Sequence, residues 1–242
     1  MDYKEQFYSK YSSTQANVDI KTIYENLEQR KPYFEKIIKN YFPKKKDLKI
    51  LDLGCGYGAF VYFLENEGYL NVEGIDTSVE QVKLANELGL KNVYNGDLLE
   101  KLKSLSDNSY DFIISFDVLE HFNKNEVVKI VKEVYRILKS DGKYIVHVPN
   151  GEAIFSGVVL WGDFTHELAF TRKSIEQIAK VTGFKNFNFY EDEPIIHGFK
   201  SIIRYILWKI FRFFFHVLYV VETGNLKDKI ILSQNILAIM QK

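Results

Sequence analysis

This chain is short of cysteine and proline and carries no net charge. Its one cysteine, Cys55, excludes an intrachain disulfide and fits a reducing compartment. Lys plus Arg and Asp plus Glu each total 32, so the formal net charge is zero. That argues against a nucleic-acid binder relying on a strong global positive field, and no nucleic-acid partner is expected. The N-terminal stretch MDYKEQFYSKYSSTQ has no apolar run, so no signal peptide is expected and the expected location is cytoplasmic. Four prolines and no low-complexity tract leave little room for disorder.

What is present is enough apolar material for a core. Of 242 residues 46% are hydrophobic, which suits one large α/β domain. Apolar residues recur at helical spacing through residues 18–42, from Ile20, Ile23 and Leu27 to Phe34, Ile37 and Ile38. One or two helices are therefore expected over about 18–42, as the N-terminal helical region 1–46 ahead of the sheet. From 47 to 150 strand and helix patterns alternate. LKILDL, NVEGID, VYNGD, YDFIISF and KYIVHVP read as strands. AFVYFLENEG, VEQVKLANELG and NEVVKIVKEVYRILKSDG read as helices, the last stopped by Ser-Asp-Gly. This rhythm predicts a parallel sheet with helices on both faces. Residues 151–194 read as a loop with a short helix, a helix from Thr171 to a Gly183 stop, and the strand FKNFNFYED. An apolar insertion fills 195–228, and SQNILAIMQK supplies a final strand within 229–242.

The chemistry concentrates in KILDLGCGYGAF, residues 49–60, where a strand runs into a glycine turn and a helix. Gly54, Gly56 and Ala59 satisfy the dinucleotide pattern G-x-G-x-x-G/A. A dinucleotide would bring its pyrophosphate close to Asp52. Like charges near 5 Å at an effective dielectric of about 20 repel by roughly 3 kcal/mol. The same carboxylate suits a ligand that presents an ammonium group. Asp76, about 20 residues on at the end of the second strand, suits ribose hydroxyls of either ligand. Asp97 could accept from an adenine amino group, with Leu98 against the ring. Phe116, Asp117, Glu120 and His121 follow the fourth strand, at the sheet end where ligands of open α/β folds bind.

In this order LDLGCGYG, EGIDTS, NGDLLE and YDFIISFDVLEHF resemble the successive motifs of class I S-adenosyl-L-methionine (SAM)-dependent methyltransferases. The resemblance covers roughly residues 47–150. It implies a Rossmann-like seven-stranded sheet whose last strand is antiparallel, and SAM as cofactor with S-adenosyl-L-homocysteine as product. It implies contacts at Asp52, Gly54, Gly56, Asp76, Asp97, Leu98 and Phe116, within a set that also includes Cys55, Gly58, Thr77, Gln81, Asp117 and His121. Ahead of the sheet, Tyr11 and Arg30 are candidates for the methionine end. The phrase ending in VLEH is common in the branch acting on small molecules. GDFTHELAFTRKSIEQIAKVTGF is similar to a segment of methyltransferases from bacterial surface-polysaccharide gene clusters. That implies an oxygen acceptor on a sugar- or phosphate-linked precursor. An NAD(P)-dependent oxidoreductase and a non-catalytic SAM-binding protein are the alternatives.

For acceptor chemistry the candidates are His121 just after the fourth strand, and His166 with Asp163 in WGDFTHE. Histidine is the usual base near neutral pH. Asp163, His166 and Glu167 match no recognised metal spacing, so no metal is expected. Residues 199–221 could form about six helical turns. Lys200, Arg204, Lys209, Arg212 and His216 interrupt its apolar residues, which disfavours a transmembrane span. A lid or dimer helix packed on protein is the first reading. An interfacial helix on anionic lipid, with a peripheral location at the inner face of the membrane, is the second.

Overall fold

The computed structural model describes residues 3–8, 19–226 and 230–242. Its centre is a seven-stranded sheet in the order β3-β2-β1-β4-β5-β7-β6. The strands are β1 (Lys49–Leu53), β2 (Asn71–Asp76), β3 (Val93–Asn95), β4 (Tyr110–Phe116), β5 (Leu138–Pro149), β6 (Asn186–Glu191) and β7 (Asn235–Gln241). Pairing is parallel from β3 through β5, whereas β7 runs antiparallel to both β5 and β6. The expected seven-stranded, mostly parallel fold with an antiparallel last strand is what the chain adopts.

Among the described residues the helices are α1 (Tyr3–Tyr8), α2 (Ile20–Tyr41), α3 (Ala59–Asn66), α4 (Val79–Glu87), α5 (Leu98–Ser104), α6 (Lys124–Ile137), α7 (Ser156–Leu160), α8 (Arg172–Thr182) and α9 (Phe199–Thr223). Two cores flank the sheet. One packs Val127, Ile130, Val131 and Val134 of α6 against Leu51, Ile113 and Val146. The other packs Ile23, Leu27, Phe34 and Ile37 of α2 and Phe60 of α3 against Ile50, Phe112 and Ile145. Consecutive residues of the central strands, Ile50 and Leu51 of β1 and Phe112, Ile113 and Ile114 of β4, are apolar because both faces of the sheet are covered.

Local signals set the helix ends. Asp19 caps α2 by accepting the Thr22 N–H at 2.8 Å. Thr171 and Ser174 form a reciprocal capping box on α8, and Gly183 stops it at φ +109°. At α6 the sequence reading runs too long. The helix ends at Ile137, and Lys139–Gly142 belong to β5, where Asp141 takes φ +64° and the register to β4 shifts. Two helices were not anticipated, α1 and α5.

Gly58 opens α3 in a left-handed conformation, φ +78°. A Cβ there would stand 2.5 Å from Leu90 Cδ1. Gly58→Ala is expected to lower the melting temperature by roughly 2–8 °C, from about 1–2 kcal/mol of backbone strain alone. Thermal denaturation monitored by circular dichroism checks this; an unchanged midpoint would mean that Leu90 yields freely.

α9 stands apart. Of its 25 residues only Ser201 is buried. Two ion pairs tie it to the strand end: Lys209 with Glu193 at 2.9 Å, and Arg212 with Glu191. Tyr205, Trp208, Arg212, Phe215 and Tyr219 are half-buried, one face of the helix. The opposite face leaves Ile203, Ile206, Ile210, Phe213, Val217 and Val221 exposed. Among the described residues, no helix is long and apolar enough to cross a membrane.

Candidate active site

The residues that follow β1, β2, β3 and β4 line one cavity of about 430 Å3. Its floor is the glycine turn. Gly54 and Gly56 take φ +65° and +56°. A Cβ on Gly54 would stand 2.5 Å from Val118 Cγ2, so the turn and the β4 loop approach as closely as backbone allows. The turn is locked from below by Asp76, whose carboxylate accepts the Gly56 and Ser78 N–H groups, each at 2.8 Å.

Asp52 is the electrostatic anomaly. It is 2% exposed, and its Oδ1 has no hydrogen-bond partner. Burial, and then the neighbouring Asp76 charge, push its pKa well above the usual carboxylate range. Asp76 is itself raised by burial, with its two backbone hydrogen bonds acting in the opposite sense. A cationic group entering the cavity would relieve both.

Most sequence-derived contact candidates line this cavity: Asp52, Gly54, Cys55, Gly56, Asp76, Thr77, Gln81, Asp97, Leu98, Phe116, Asp117, His121 and Arg30. Asp97 also serves the fold, capping α5 by accepting the Glu100 N–H at 2.8 Å. Gly58 does not line the cavity; the space at its Cα is filled by Leu90, Val93 and Ala85, so it is a packing position. Tyr11 lies outside the described residues. No residue of α9 lines this cavity.

The rim after β4 is built around a buried charge. Asp117 takes a left-handed φ of +54°, and its Oδ1 lies 2.7 Å from His147 Nδ1. Asp192 Oδ2 stands 3.6 Å from the other ring nitrogen. Burial alone would lower the His147 pKa, but the two aspartates raise it to about 10. The resulting imidazolium stacks under Phe116, with centroids 4.4 Å apart and planes within 7°. Phe116 is thereby held flat at the cavity wall.

The second rim joins His121 to Asp163 and His166, which lie more than 40 residues further along the chain. Asp163 and His166 do not line the cavity; they reach it through neighbours. Thr165 Oγ1 donates to Asp163 Oδ1 at 2.6 Å and lies 2.8 Å from His121 Nδ1. The Thr165 proton is committed to the carboxylate, so the His121 Nδ1 is the donor in that pair and its Nε2 bears the lone pair. The His166 ring meets the His121 ring edge to face, 4.7 Å between centroids, with its Nδ1 3.2 Å from the Leu160 carbonyl. Burial, then the neighbouring His166, lower the His121 pKa to about 4. Glu167 does not join this group. It turns outward to Lys4 at 2.6 Å and to the Tyr3 hydroxyl.

Sequence reasoning missed Lys4 and Tyr8, which α1 brings to the cavity. Phe7 and Tyr3 hold that helix against Phe164 of the WGDFTHE loop. It also missed Thr165, whose link to His121 spans 44 residues. Phe164 thus packs on α1, while Trp161 is 73% exposed.

Comparison with known proteins points one way. A family model described as a methyltransferase domain matches residues 51–146. The cyclopropane-fatty-acyl-phospholipid synthase of Escherichia coli is 30% identical over 125 residues, covering 51% of this chain and 32% of that protein. Phosphoethanolamine N-methyltransferase 2 of Caenorhabditis elegans is 26% identical over 174 residues, covering 69% of this chain and 39% of that protein. The chain spans less than half the length of either relative. A solved structure described as a SAM-dependent methyltransferase from Archaeoglobus fulgidus superposes with a TM-score of 0.64. Its sequence identity is 22%, with full coverage of both chains, so it shares the whole fold.

Proposed function

We propose, since this chain belongs to the class I SAM-dependent methyltransferase family, that it transfers a methyl group from SAM to a small-molecule acceptor. The observation that carries the reading is the buried Asp52 carboxylate, whose Oδ1 has no hydrogen-bond partner, beside the glycine turn. It fits the α-ammonium of SAM and repels a pyrophosphate, which disfavours the oxidoreductase alternative. Gly54 lets the turn pack against Val118, and at Gly56 a Cβ would meet only Gln81 Oε1 at 3.6 Å, so the bare backbone of the turn is open to the cofactor there. Asp76 retains lone pairs for ribose hydroxyls beside its two backbone bonds. Leu98 and Phe116 offer apolar walls, and Asp97 an acceptor.

When bound, SAM supplies a methyl group already activated on a sulfonium, so the protein's share of the catalysis is chiefly positioning. Asp163 and Thr165 fix the tautomer of His121, and His166 braces its ring. Of this group His121 lines the cavity, and the acceptor is proposed to bind on its side. Lys4 and Arg30 also line it and suit an anionic acceptor.

The finer reading is an oxygen acceptor on a sugar- or phosphate-linked precursor of a surface polysaccharide, held at an anionic membrane by α9. The unpartnered apolar face of that helix supports the membrane part. So does its charge: four Lys and Arg residues, with no acid between Phe199 and Val221.

Calorimetry with SAM and with NAD tests the cofactor: SAM is expected to bind and NAD not to, and failure of SAM to bind would sink the reading. His166→Ala should lower turnover on a saccharide or phosphate acceptor while SAM affinity stays near that of the parent. Conversion of SAM with no member of a broad acceptor panel would instead favour a non-catalytic SAM-binding protein.

A further inference from the structure

We propose that Glu120, His121 and His166 form a binding site for one divalent transition cation of the zinc type. One ligand atom from each of the three lies within 4.8 Å of the others. Glu120 is fully buried, and neither of its carboxylate oxygens has a hydrogen-bond partner. An unpartnered carboxylate in a protein interior is costly whether it is charged or neutral, and a cation bound there removes that cost.

The two histidines are prepared as ligands rather than as acids. His121 Nδ1 donates to Thr165 Oγ1 at 2.8 Å, because the threonine proton goes to Asp163. His166 Nδ1 faces the Leu160 carbonyl at 3.2 Å, and a carbonyl can only accept. Both rings therefore keep the lone pair on Nε2. A ligating histidine is ordinarily held in this way, with its second nitrogen donating to a carbonyl or to a hydroxyl or carboxylate relay. The Asp163–Thr165 pair is such a relay.

The donor set also selects the ion. Two imidazoles and one carboxylate suit zinc and its transition-metal neighbours, whereas magnesium and calcium prefer oxygen alone. Three protein ligands leave coordination positions open, as catalytic sites do. His121 lines the cavity, so an ion held by it would border the proposed acceptor side, where an acceptor oxygen would complete its coordination. That role rests on the methyl-transfer reading; the binding of the ion does not. Sequence spacing conceals the site, because Glu120 and His121 are adjacent and His166 joins them only through the fold.

The test uses untagged full chain, stripped with chelator and titrated with zinc chloride and, separately, magnesium chloride in a calorimeter. One equivalent of zinc is expected, with magnesium at least about 10-fold weaker. Glu120→Gln and His166→Ala should each lower zinc affinity by at least about 10-fold, and Thr165→Val, which removes the relay, by about 10-fold. A cobalt(II) titration should give a visible absorption band that His166→Ala abolishes. SAM binding by the same samples reports that each variant is folded. Absence of zinc binding by the parent protein, or parent-like zinc binding by both Glu120→Gln and His166→Ala, would overturn the proposal. SAM binding without zinc binding removes the metal site and leaves the methyltransferase reading intact. Zinc binding without SAM binding does the reverse.

Discussion

Asp52→Asn is expected to weaken SAM binding by about 10- to 150-fold. The figure follows from losing one charge-assisted hydrogen bond worth about 1.5–3 kcal/mol. The substitution keeps the volume and one oxygen, so the effect isolates the charge. A second signature is sharper. In the empty cavity burial and the Asp76 charge hold the Asp52 pKa well above that of an ordinary carboxylate, so the side chain binds a proton that an unfolded chain would release. For an acid raised in this way the sign is fixed. The stability of the ligand-free protein falls as pH rises from the unfolded carboxylate value through the raised folded one. An ammonium placed against Oδ1 favours the ionised form and expels the proton. SAM binding should therefore release protons within that pH window, and affinity should fall as the solution is acidified. Calorimetry in buffers of different ionisation enthalpy measures the release directly as a slope. Asp52→Asn should flatten the slope as well as weaken binding. Parent-like affinity and slope in the variant would mean that some other group receives the ammonium.

The sheet was legible because its information is local. β1, β2 and β4 are apolar runs ended by an acid or a glycine turn, and each run is where the structure places a strand. The capping of α8 could be read in the same way, from Thr171, Ser174 and Gly183. α5 escaped notice because seven residues are too few for a period to emerge. Its cap was nonetheless present: Asp97 followed three residues later by Glu100 is an N-terminal signal, and the ligand reading of Asp97 obscured it. The cavity floor was legible for a related reason, since the residues 52 to 58 turn through one contiguous segment. The proposed acceptor side was not. His121, Thr165 and Asp163 meet only after β4 and the loop beyond β5 are placed side by side, and the Lys4 contact also depends on α1 folding across the rim. Gly58 was assigned to the ligand from its place in a glycine-rich turn, but its φ of +78° serves helix entry and its missing Cβ serves Leu90.

The paired substitution Ile206→Glu with Phe213→Glu is expected to abolish flotation of the protein with anionic vesicles. Both side chains lie on the outward face of α9, 53% and 65% exposed. A face of that size is unusual on a soluble monomer surface and calls for a covering partner. The charges around it choose the partner. Lys200 and Arg204 sit near the start of the helix, Lys209 and Arg212 are tied to Glu193 and Glu191, and no acid occurs between Phe199 and Val221. A second copy of the same basic helix would set like charges against one another, whereas an anionic bilayer surface complements them. Burying one large apolar side chain contributes about 1.5–3 kcal/mol, and one basic residue near an anionic membrane about 1 kcal/mol. Removing two apolar anchors should thus cost about 3–6 kcal/mol, beyond a 100-fold loss of partitioning. Lys200→Gln with Arg204→Gln should cost less and should convert flotation from salt-sensitive to salt-insensitive. The parent protein should float with vesicles containing phosphatidylglycerol and not with purely zwitterionic ones. If it ignores both and sediments as a dimer that the Ile206→Glu, Phe213→Glu pair dissociates, the outward face of α9 is a protein interface, and the acceptor need not be lipid-linked.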